Sequence, residues 1–196
     1  MGVNELFPGE QNRTTTLTVD QTKVRVHFGE VTAHCDEFIR DSEEIVGAVA
    51  WLRSPKLAAQ LARRPCSIIL NKEFELKQPS KKARKLADKL LTPARDFEAC
   101  VRVIGDQSRG AFTGLMHHKF LVRLQQGIPV AVWNGSFNLT EGAGGNFENG
   151  MEIHDIGVAM TFYDEFRLLW EAAEPLNFKK GAVMGLPEKP AKPRKR

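Results

Sequence analysis

The most informative part of the sequence reads MHHKFLVRL (116–124), then VAVWNGSFNLT (130–140), then NFENG (146–150). Two apolar segments separated by a short turn predict a pair of β-strands that lie side by side as a hairpin. Because side chains alternate along a strand, His117 and Lys119 are expected on the same face. The sequence therefore predicts an imidazole and an ammonium next to each other on one strand.

A polar turn follows the second strand of this hairpin. It presents Ser136 and Asn138, and Glu148 follows after a glycine-rich loop. An imidazole, an ammonium, a hydroxyl, an amide and a carboxylate can then converge on one point. This set suits an anionic, tetrahedral group such as a phosphate. We therefore expect five catalytic residues: His117, Lys119, Ser136, Asn138 and Glu148.

The central stretch resembles the phospholipase D superfamily, whose signature is His-x-Lys followed by Gly-Ser-x-Asn. The residues that carry the resemblance are His117, Lys119, Gly135, Ser136 and Asn138, and the downstream pattern is matched by Thr140, Glu148 and Asn149. The family's aspartate five residues after the lysine is replaced by Leu124. Leu124 is an odd number of residues from His117, so it is expected to point away from the site.

The resemblance implies a mechanism and a partner. In the superfamily two copies of the motif meet across a twofold or pseudo-twofold axis, and this chain holds one copy. We therefore expect a homodimer in which one His117 is the nucleophile and the other is the general acid and then base. Lys119 and Asn138 would hold the phosphate oxygens, Ser136 would add a hydrogen bond, and Glu148 would orient His117. No metal and no cofactor are expected.

Composition narrows the class of protein. The chain has 196 residues, 42% of them hydrophobic and 27% charged, which fits one globular domain with a substantial core. The net charge of +4 and the pI of about 9.0 favour an acidic partner, above all nucleic acid. Three scattered cysteines, Cys35, Cys66 and Cys100, are interpreted as buried free thiols in a reducing compartment. Neither a signal peptide nor an apolar run long enough to span a membrane is recognised, so we expect a cytoplasmic protein without membrane contact.

The apolar pattern along the chain predicts alternating strands and helices. Expected strands are residues 23–28, 45–52, 67–70, 99–104, 115–124, 128–133 and 151–156; expected helices are residues 30–40, 55–64, 80–91 and a last helix that begins at Thr161. Ser54 followed by Pro55 is a typical helix start, and Thr161 with Asp164 suggests a capping box. This order predicts an α/β fold, a phospholipase D-like sandwich with a mixed β-sheet flanked by helices.

Three segments are expected along the chain: an N-terminal arm or edge strand at residues 1–22, the catalytic domain at residues 23–176, and a basic, disordered tail at residues 177–196. Inside the domain, helix 80–91 carries Lys81, Lys82 and Lys85, which form either a solvated face or a contact with phosphates of nucleic acid. Arg109 lies just before the catalytic strand and is a further candidate for this contact.

The other histidines are given structural interpretations. His118 follows His117 on the predicted strand, so it is expected on the opposite face, packed in the core with Phe120. His27, His34 and His154 are isolated in the sequence and are interpreted as structural or surface residues.

The sequence leaves three functions to compare. The favoured one is a metal-independent endonuclease that cleaves DNA, with RNA as a second candidate substrate. The predicted helix 80–91 and the tail at 177–196 are basic, and no segment expected to bind lipid is evident. The second is a phospholipase D-type phosphodiesterase acting on lipid, which would need an apolar interfacial surface. The third is a catalytically degenerate protein that only binds nucleic acid, with Leu124 as the sign of decay.

Overall fold

The computed structural model describes residues 13–72, 89–105, 115–140 and 146–176. In these ranges nine strands form one mixed sheet in the order β1-β2-β8-β7-β6-β3-β4-β5-β9. The strands are β1 (Arg13–Val19), β2 (Thr22–Phe28), β3 (Glu44–Val49), β4 (Cys66–Asn71), β5 (Val101–Ile104), β6 (Lys119–Gln125), β7 (Ile128–Gly135), β8 (Asn149–His154) and β9 (Glu174–Pro175). The helices are α1 (Val31–Arg40), α2 (Pro55–Leu61) and α3 (Ile156–Ala172). The predicted mixed sheet flanked by helices is confirmed.

Strand direction brings several chain ends to one edge of the sheet. β3, β4 and β5 are parallel, whereas β6 is antiparallel to β3 and β7, and β8 is antiparallel to β7. The amino ends of β6 and β8 therefore lie beside the carboxyl ends of β3 and β7. We call this the upper edge of the sheet, and it is where the predicted site residues lie.

Two hydrophobic clusters fill the space between the sheet and the helices. Helices α1 and α2 cover one face, where Phe38 and Leu57 pack with Leu121 and Trp133. Helix α3 covers the other face, where its Phe166 joins a second cluster of strand side chains that includes Phe120 and Val132. Each fully buried side chain of this size contributes about 1.5–3 kcal/mol through removal from water. The sandwich of helices and sheet follows from these two faces.

Most predicted elements are found, with shifted ends. The hairpin of β6 and β7 is confirmed, but β6 begins at Lys119 rather than residue 115. Residues 13–19 form an edge strand paired with β2, which is the edge-strand alternative for the N-terminal segment. Residues 89–91 are not helical. The rest of the predicted basic helix and the tail at 177–196 lie outside the described residues.

The start of the last helix was predicted wrongly. Helix α3 begins at Ile156, and Asp155 caps it by accepting a hydrogen bond of 2.9 Å from the Val158 backbone N–H. Thr161 is instead inside the helix, where its hydroxyl donates to the Gly157 carbonyl. The predicted start at Ser54 is confirmed, since the Ser54 hydroxyl accepts from the Leu57 N–H at 3.3 Å.

Two glycines let β7 and β8 come close together at the upper edge. Gly135 pairs with Gly150 in the register of these strands. A Cβ at Gly135 would clash with the Asn149 carbonyl, and a Cβ at Gly150 would clash with the indole of Trp133. Only glycine is small enough for this close approach of β7 and β8, at the edge of the sheet where the site lies.

The cysteines are free thiols, and the helices are too short or too polar to span a membrane in the part of the chain that the structure describes. Cys35 and Cys66 are buried and Cys100 is half-buried, and none of them forms a disulfide. Burial raises the pKa of Cys66 to about 12, so this thiol stays protonated. None of the helices in the described residues is both long enough and apolar enough to cross a membrane.

Candidate active site

The strands bring four of the five predicted catalytic residues to the upper edge of the sheet. His117 comes two residues before Lys119, the first residue of β6, and Ser136 directly follows β7. Glu148 directly precedes β8. Because β6, β7 and β8 are neighbours with alternating directions, these ends lie next to one another. The hairpin and the third strand are thus the elements that position the site.

The imidazole of His117 and the ammonium of Lys119 are in contact. Lys119 Nζ lies 3.0 Å from His117 Nδ1 and donates to the His117 carbonyl oxygen at 2.7 Å. Burial, and then the charges of Lys119 and His118, lower the pKa of His117 below its ordinary value of 6.5. Burial also lowers the pKa of Lys119, against the opposite effect of the Glu148 charge. His117 is therefore neutral at neutral pH, which is the form that can act as a nucleophile.

Ser136 and Glu148 form a second pair across the strand ends. The Ser136 hydroxyl donates a short hydrogen bond to a Glu148 carboxylate oxygen. The same hydroxyl accepts from the Asn149 N–H at 3.1 Å, and the Ser136 N–H donates to the Asn149 carbonyl at 3.2 Å. The predicted hydrogen bond from His117 to Glu148 is not formed, because the carboxylate is held by Ser136. The electrostatic effect of Glu148 falls on Lys119 instead.

Asn138 lies in a loop that is fixed from the other side of the site. The carbonyl of Leu139 accepts hydrogen bonds from the N–H groups of Arg53 and Ser54 at 2.7 and 2.9 Å. The Oδ1 atom of Asn138 is buried and has no hydrogen-bond partner among the described residues. A buried polar atom of this kind is unusual in a folded protein. Because Oδ1 is an acceptor, a contact with a phosphate would have to come from the amide nitrogen of Asn138 instead.

Trp51 is a neighbour of the site that sequence reasoning did not identify. It follows β3, and the Ala50 N–H donates to the His118 carbonyl at 2.9 Å, which joins the two segments. The Trp51 ring lies edge-on to the His117 ring with centroids 5.7 Å apart. The sequence placed Trp51 inside an expected strand at residues 45–52, whereas β3 ends at Val49 and leaves Trp51 at the edge where the site is formed.

The prediction that His118 is a core residue is wrong. Its side chain is 48% exposed, and its Nε2 lies 3.4 Å from a carboxylate oxygen of Glu165 on α3. The alternation argument fails because residues 115–118 are not part of β6. The prediction for Leu124 is confirmed, since this residue is 2% exposed and packs in the cluster on the α3 side of the sheet.

Two further predictions concern contacts to nucleic acid and metal binding. Lys81, Lys82, Lys85 and Arg109, the candidate contacts to nucleic acid, lie outside the described residues. The described ranges contain no group of three or more His, Cys, Asp or Glu residues arranged to hold a metal ion.

A buried polar cluster links the sheet behind the site. His27 on β2 lies 3.2 Å from one oxygen of Glu152 on β8, and His154 lies 3.0 Å from the other. His27 also stacks on His34 of α1 with centroids 4.1 Å apart. Burial is the main cause that lowers the pKa of His27, followed by the effect of His34. These contacts give the three isolated histidines structural roles, which the sequence alone had indicated only in general terms.

Comparison with known proteins gives one relative in sequence and several in structure. No family model matches the chain. An uncharacterized protein of Acanthamoeba polyphaga mimivirus, L381, is 24% identical over 85% of this chain and 72% of its own length.

Solved structures share the fold. The phospholipase D family member Nuc from Salmonella typhimurium matches with a TM-score of 0.57 and 15% identity, over 78% of this chain and 97% of that one. NucT from Helicobacter pylori matches with a TM-score of 0.56 and 16% identity, over 83% and 96%. TrmBL2, an archaeal chromatin protein, matches with a TM-score of 0.51 and 19% identity, over 78% and 55%. The predicted phospholipase D-like fold is confirmed, and this likeness supports the resemblance carried by the motif residues.

Proposed function

We propose that this protein is a metal-independent phosphodiesterase that cleaves DNA as an endonuclease, with His117 as the nucleophile. The observation that carries the proposal is the contact of 3.0 Å between His117 and Lys119 at the sheet edge where Ser136 and Glu148 also lie. A neutral imidazole beside an ammonium combines a nucleophile with positive charge for the phosphate oxygens. The fold shared with the phospholipase D family member Nuc supports the proposal.

In the first step, a nitrogen of the His117 ring forms a bond to phosphorus while the bond to the leaving ester oxygen breaks. Lys119 stabilises the charge on the non-bridging oxygens, and the amide of Asn138 adds a hydrogen bond. Because Lys119 donates to Nδ1, the neutral ring carries its proton on Nε2. Attack through Nε2 therefore requires that Lys119 turn from the imidazole to the phosphate, so that Nδ1 can carry the proton. Glu148 would hold that tautomer only after its carboxylate leaves the Ser136 hydroxyl.

The leaving oxygen needs a proton that the attacking ring cannot supply. The chain contains one copy of the motif, so a second His117 from a partner subunit, in its protonated form, is the natural source. In the second step this partner imidazole takes a proton from water, which attacks phosphorus and breaks the bond to nitrogen. Neither step uses a metal, since lysine and amide groups supply the stabilisation.

The charge of the protein favours nucleic acid as the substrate. A net charge of +4 and a pI of about 9.0 suit a polyanion. The likeness to TrmBL2, whose structure is described as showing a novel mode of DNA binding, adds that a related fold serves a DNA-binding protein. DNA is therefore the first substrate to test.

The proposal is tested by trapping the covalent intermediate. The protein is mixed with a short DNA oligonucleotide, quenched in alkali after a fraction of a turnover, digested and examined by mass spectrometry. We expect a phosphoramidate on the peptide that contains His117, and none in the His117→Asn variant. A digest that carries the adduct on another residue, or on none while DNA is cleaved, would remove His117 as the nucleophile.

Leu124 supports a second candidate, a protein that binds DNA without cleaving it. The superfamily's usual aspartate is absent at this buried position. In that case DNA would bind with a salt-dependent affinity, but no product would form at any protein concentration. The side chain of Leu124 lies away from the site, which weighs in favour of the catalytic proposal.

A further inference from the structure

A cavity of about 490 Å³ opens directly beside the proposed nucleophile. It is lined by the end of β5, by the segment that precedes β6 and by helix α3, namely Ile104, Leu115, Met116, His117, His118 and Leu169. Its volume falls within the range of about 300–1,000 Å³ that is usual for sites of small organic ligands. His117 is both a wall of this cavity and the residue proposed to attack phosphorus.

The lining has the chemistry of a nucleobase site. Leu115, Met116 and Leu169 offer apolar surface for the faces of a flat ring. His118 offers a polar ring edge. Its Nε2 lies 3.4 Å from Glu165, whereas its Nδ1 has no hydrogen-bond partner among the residues that the structure describes. Apolar faces with a polar edge are what an unstacked base requires.

We propose that this cavity holds the unpaired base of the nucleotide that is esterified to the scissile phosphate, so that the enzyme acts on single-stranded DNA. This inference rests on the proposed function, because it is the bond from His117 to phosphorus that brings the neighbouring nucleotide to the cavity. A base in a duplex is paired and stacked, and it would have to be extruded before it could enter. Acyl chains of a lipid fit less well, because they would cover the Nδ1 edge of His118 without offering it a polar partner.

The test compares two oligomers that differ only in their bases. One is a short, end-labelled oligothymidylate, and the other has the same sugar-phosphate backbone with every residue abasic. We expect wild-type kcat/KM to be at least about tenfold higher on oligothymidylate, a factor typical of one base contact. Pairing the oligothymidylate with oligoadenylate should lower the rate again. Equal rates on the oligothymidylate and the abasic oligomer would overturn the proposal.

A pair of variants on α3 assigns the effect to the cavity. Leu169 lines the cavity, whereas Leu168 is 65% exposed and does not line it. Leu169→Trp, which fills the cavity, should lower kcat/KM on oligothymidylate about tenfold and leave the rate on the abasic oligomer unchanged. Leu168→Trp, the matched control, should change neither rate. If Leu169→Trp lowers both rates equally, the cavity does not bind a base.

Two measurements separate this inference from the proposed function. If neither oligomer is cleaved, the proposed function fails, and binding of both oligomers to His117→Ala by fluorescence polarisation still tests the cavity. Tighter binding of oligothymidylate than of the abasic oligomer, lost in His117→Ala/Leu169→Trp, would support a base site in a binding protein. Release of choline from phosphatidylcholine vesicles, with no cleavage of either oligomer, would assign the cavity to lipid and overturn both proposals.

Discussion

The chemistry at His117 depends on one side-chain contact. Lys119 Nζ lies within 3.0 Å of the imidazole, and this positive charge opposes protonation of the ring. A nucleophilic imidazole must be neutral, so a lowered pKa keeps His117 ready for attack at and somewhat below pH 6.5, the ordinary pKa of histidine. Burial is the larger cause of the lowered pKa, and the same ammonium that would stabilise the phosphate adds to it.

This coupling predicts the titration of a variant. Lys119→Met removes the charge while burial remains, so the pKa of His117 should rise toward 6.5. The measurement is the NMR titration of the His117 ring carbon in wild type and variant. Lys56→Met, at an exposed lysine paired with Asp36, is the matched control and should leave this pKa unchanged. A His117 pKa that stays constant or falls in Lys119→Met would show that the contact does not set it.

The glycine at the start of β8 should be intolerant of any side chain. Gly150→Ala places a carbon against the buried indole of Trp133, and such overpacking costs about 1–3 kcal/mol of the free energy of unfolding. Urea denaturation measures this loss. In Gly157→Ala the added carbon meets only the Asp155 side chain, at 3.3 Å, and no comparable loss is expected. Equal unfolding midpoints for Gly150→Ala and wild type would contradict the packing described here.

Individual site residues could be predicted where they belong to the sequence motif. Their hydrogen-bond partners could not be predicted where tertiary packing determines them. His117, Lys119, Ser136 and Glu148 were expected together because strand ends and spacing bring them to one edge. The partner of Glu148 was not predictable, since the choice between His117 and Ser136 depends on the approach of β8 to β7. Trp51 and His118 were missed because both lie just outside a strand, where alternation gives no direction.

At the scale of elements, helix and strand positions followed from apolar periodicity, and errors gathered at the ends. The strand before α3 ends at His154, and the helix begins at Ile156, five residues earlier than predicted, with Asp155 as its cap. The sequence Asp155-Ile156-Gly157-Val158 hides this start, because two apolar residues and a glycine read equally well as the end of a strand. The hydrogen bond from the Val158 N–H to the Asp155 side chain fixes the start of the helix, and hydrophobic periodicity gives no information about such caps.

The cap of α3 gives a test at this scale. Asp155 accepts hydrogen bonds from the Thr22 hydroxyl and, with a smaller effect, from the Val158 N–H, and both lower the pKa of its carboxyl. Asp155→Ala should therefore unfold at a lower urea concentration than wild type at pH 7. Because the folded-state pKa is depressed, this difference should shrink as the pH falls below the ordinary carboxyl range.

The matched control for the cap is Asp164→Ala. This residue was the partner in the capping box expected from the sequence, but it lies on the exposed face within the helix. Its replacement should leave the urea midpoint close to that of wild type. A larger effect of Asp164→Ala than of Asp155→Ala would restore the start at Thr161.

For the whole molecule, the proposed mechanism requires two copies of the chain at one phosphate. We expect wild-type protein to sediment as a dimer at micromolar concentration. Mixed dimers carrying one tagged His117→Ala subunit should lose turnover, because each active site needs an imidazole from both subunits. A monomer that cleaves DNA at full rate, or a mixed dimer with half of the wild-type rate, would show that each subunit acts alone.

Cleavage of a phosphodiester by His117 without a metal can be measured in one assay. Plasmid and single-stranded DNA are incubated with excess EDTA and with wild type, His117→Ala or His154→Ala, the last being a control at the opposite end of β8 from the site. We predict that wild type and His154→Ala cleave DNA in EDTA and that His117→Ala loses at least about a thousandfold in rate, as expected when a nucleophile is removed. Cleavage that disappears in EDTA and returns with magnesium, or that persists unchanged in His117→Ala, would contradict the account.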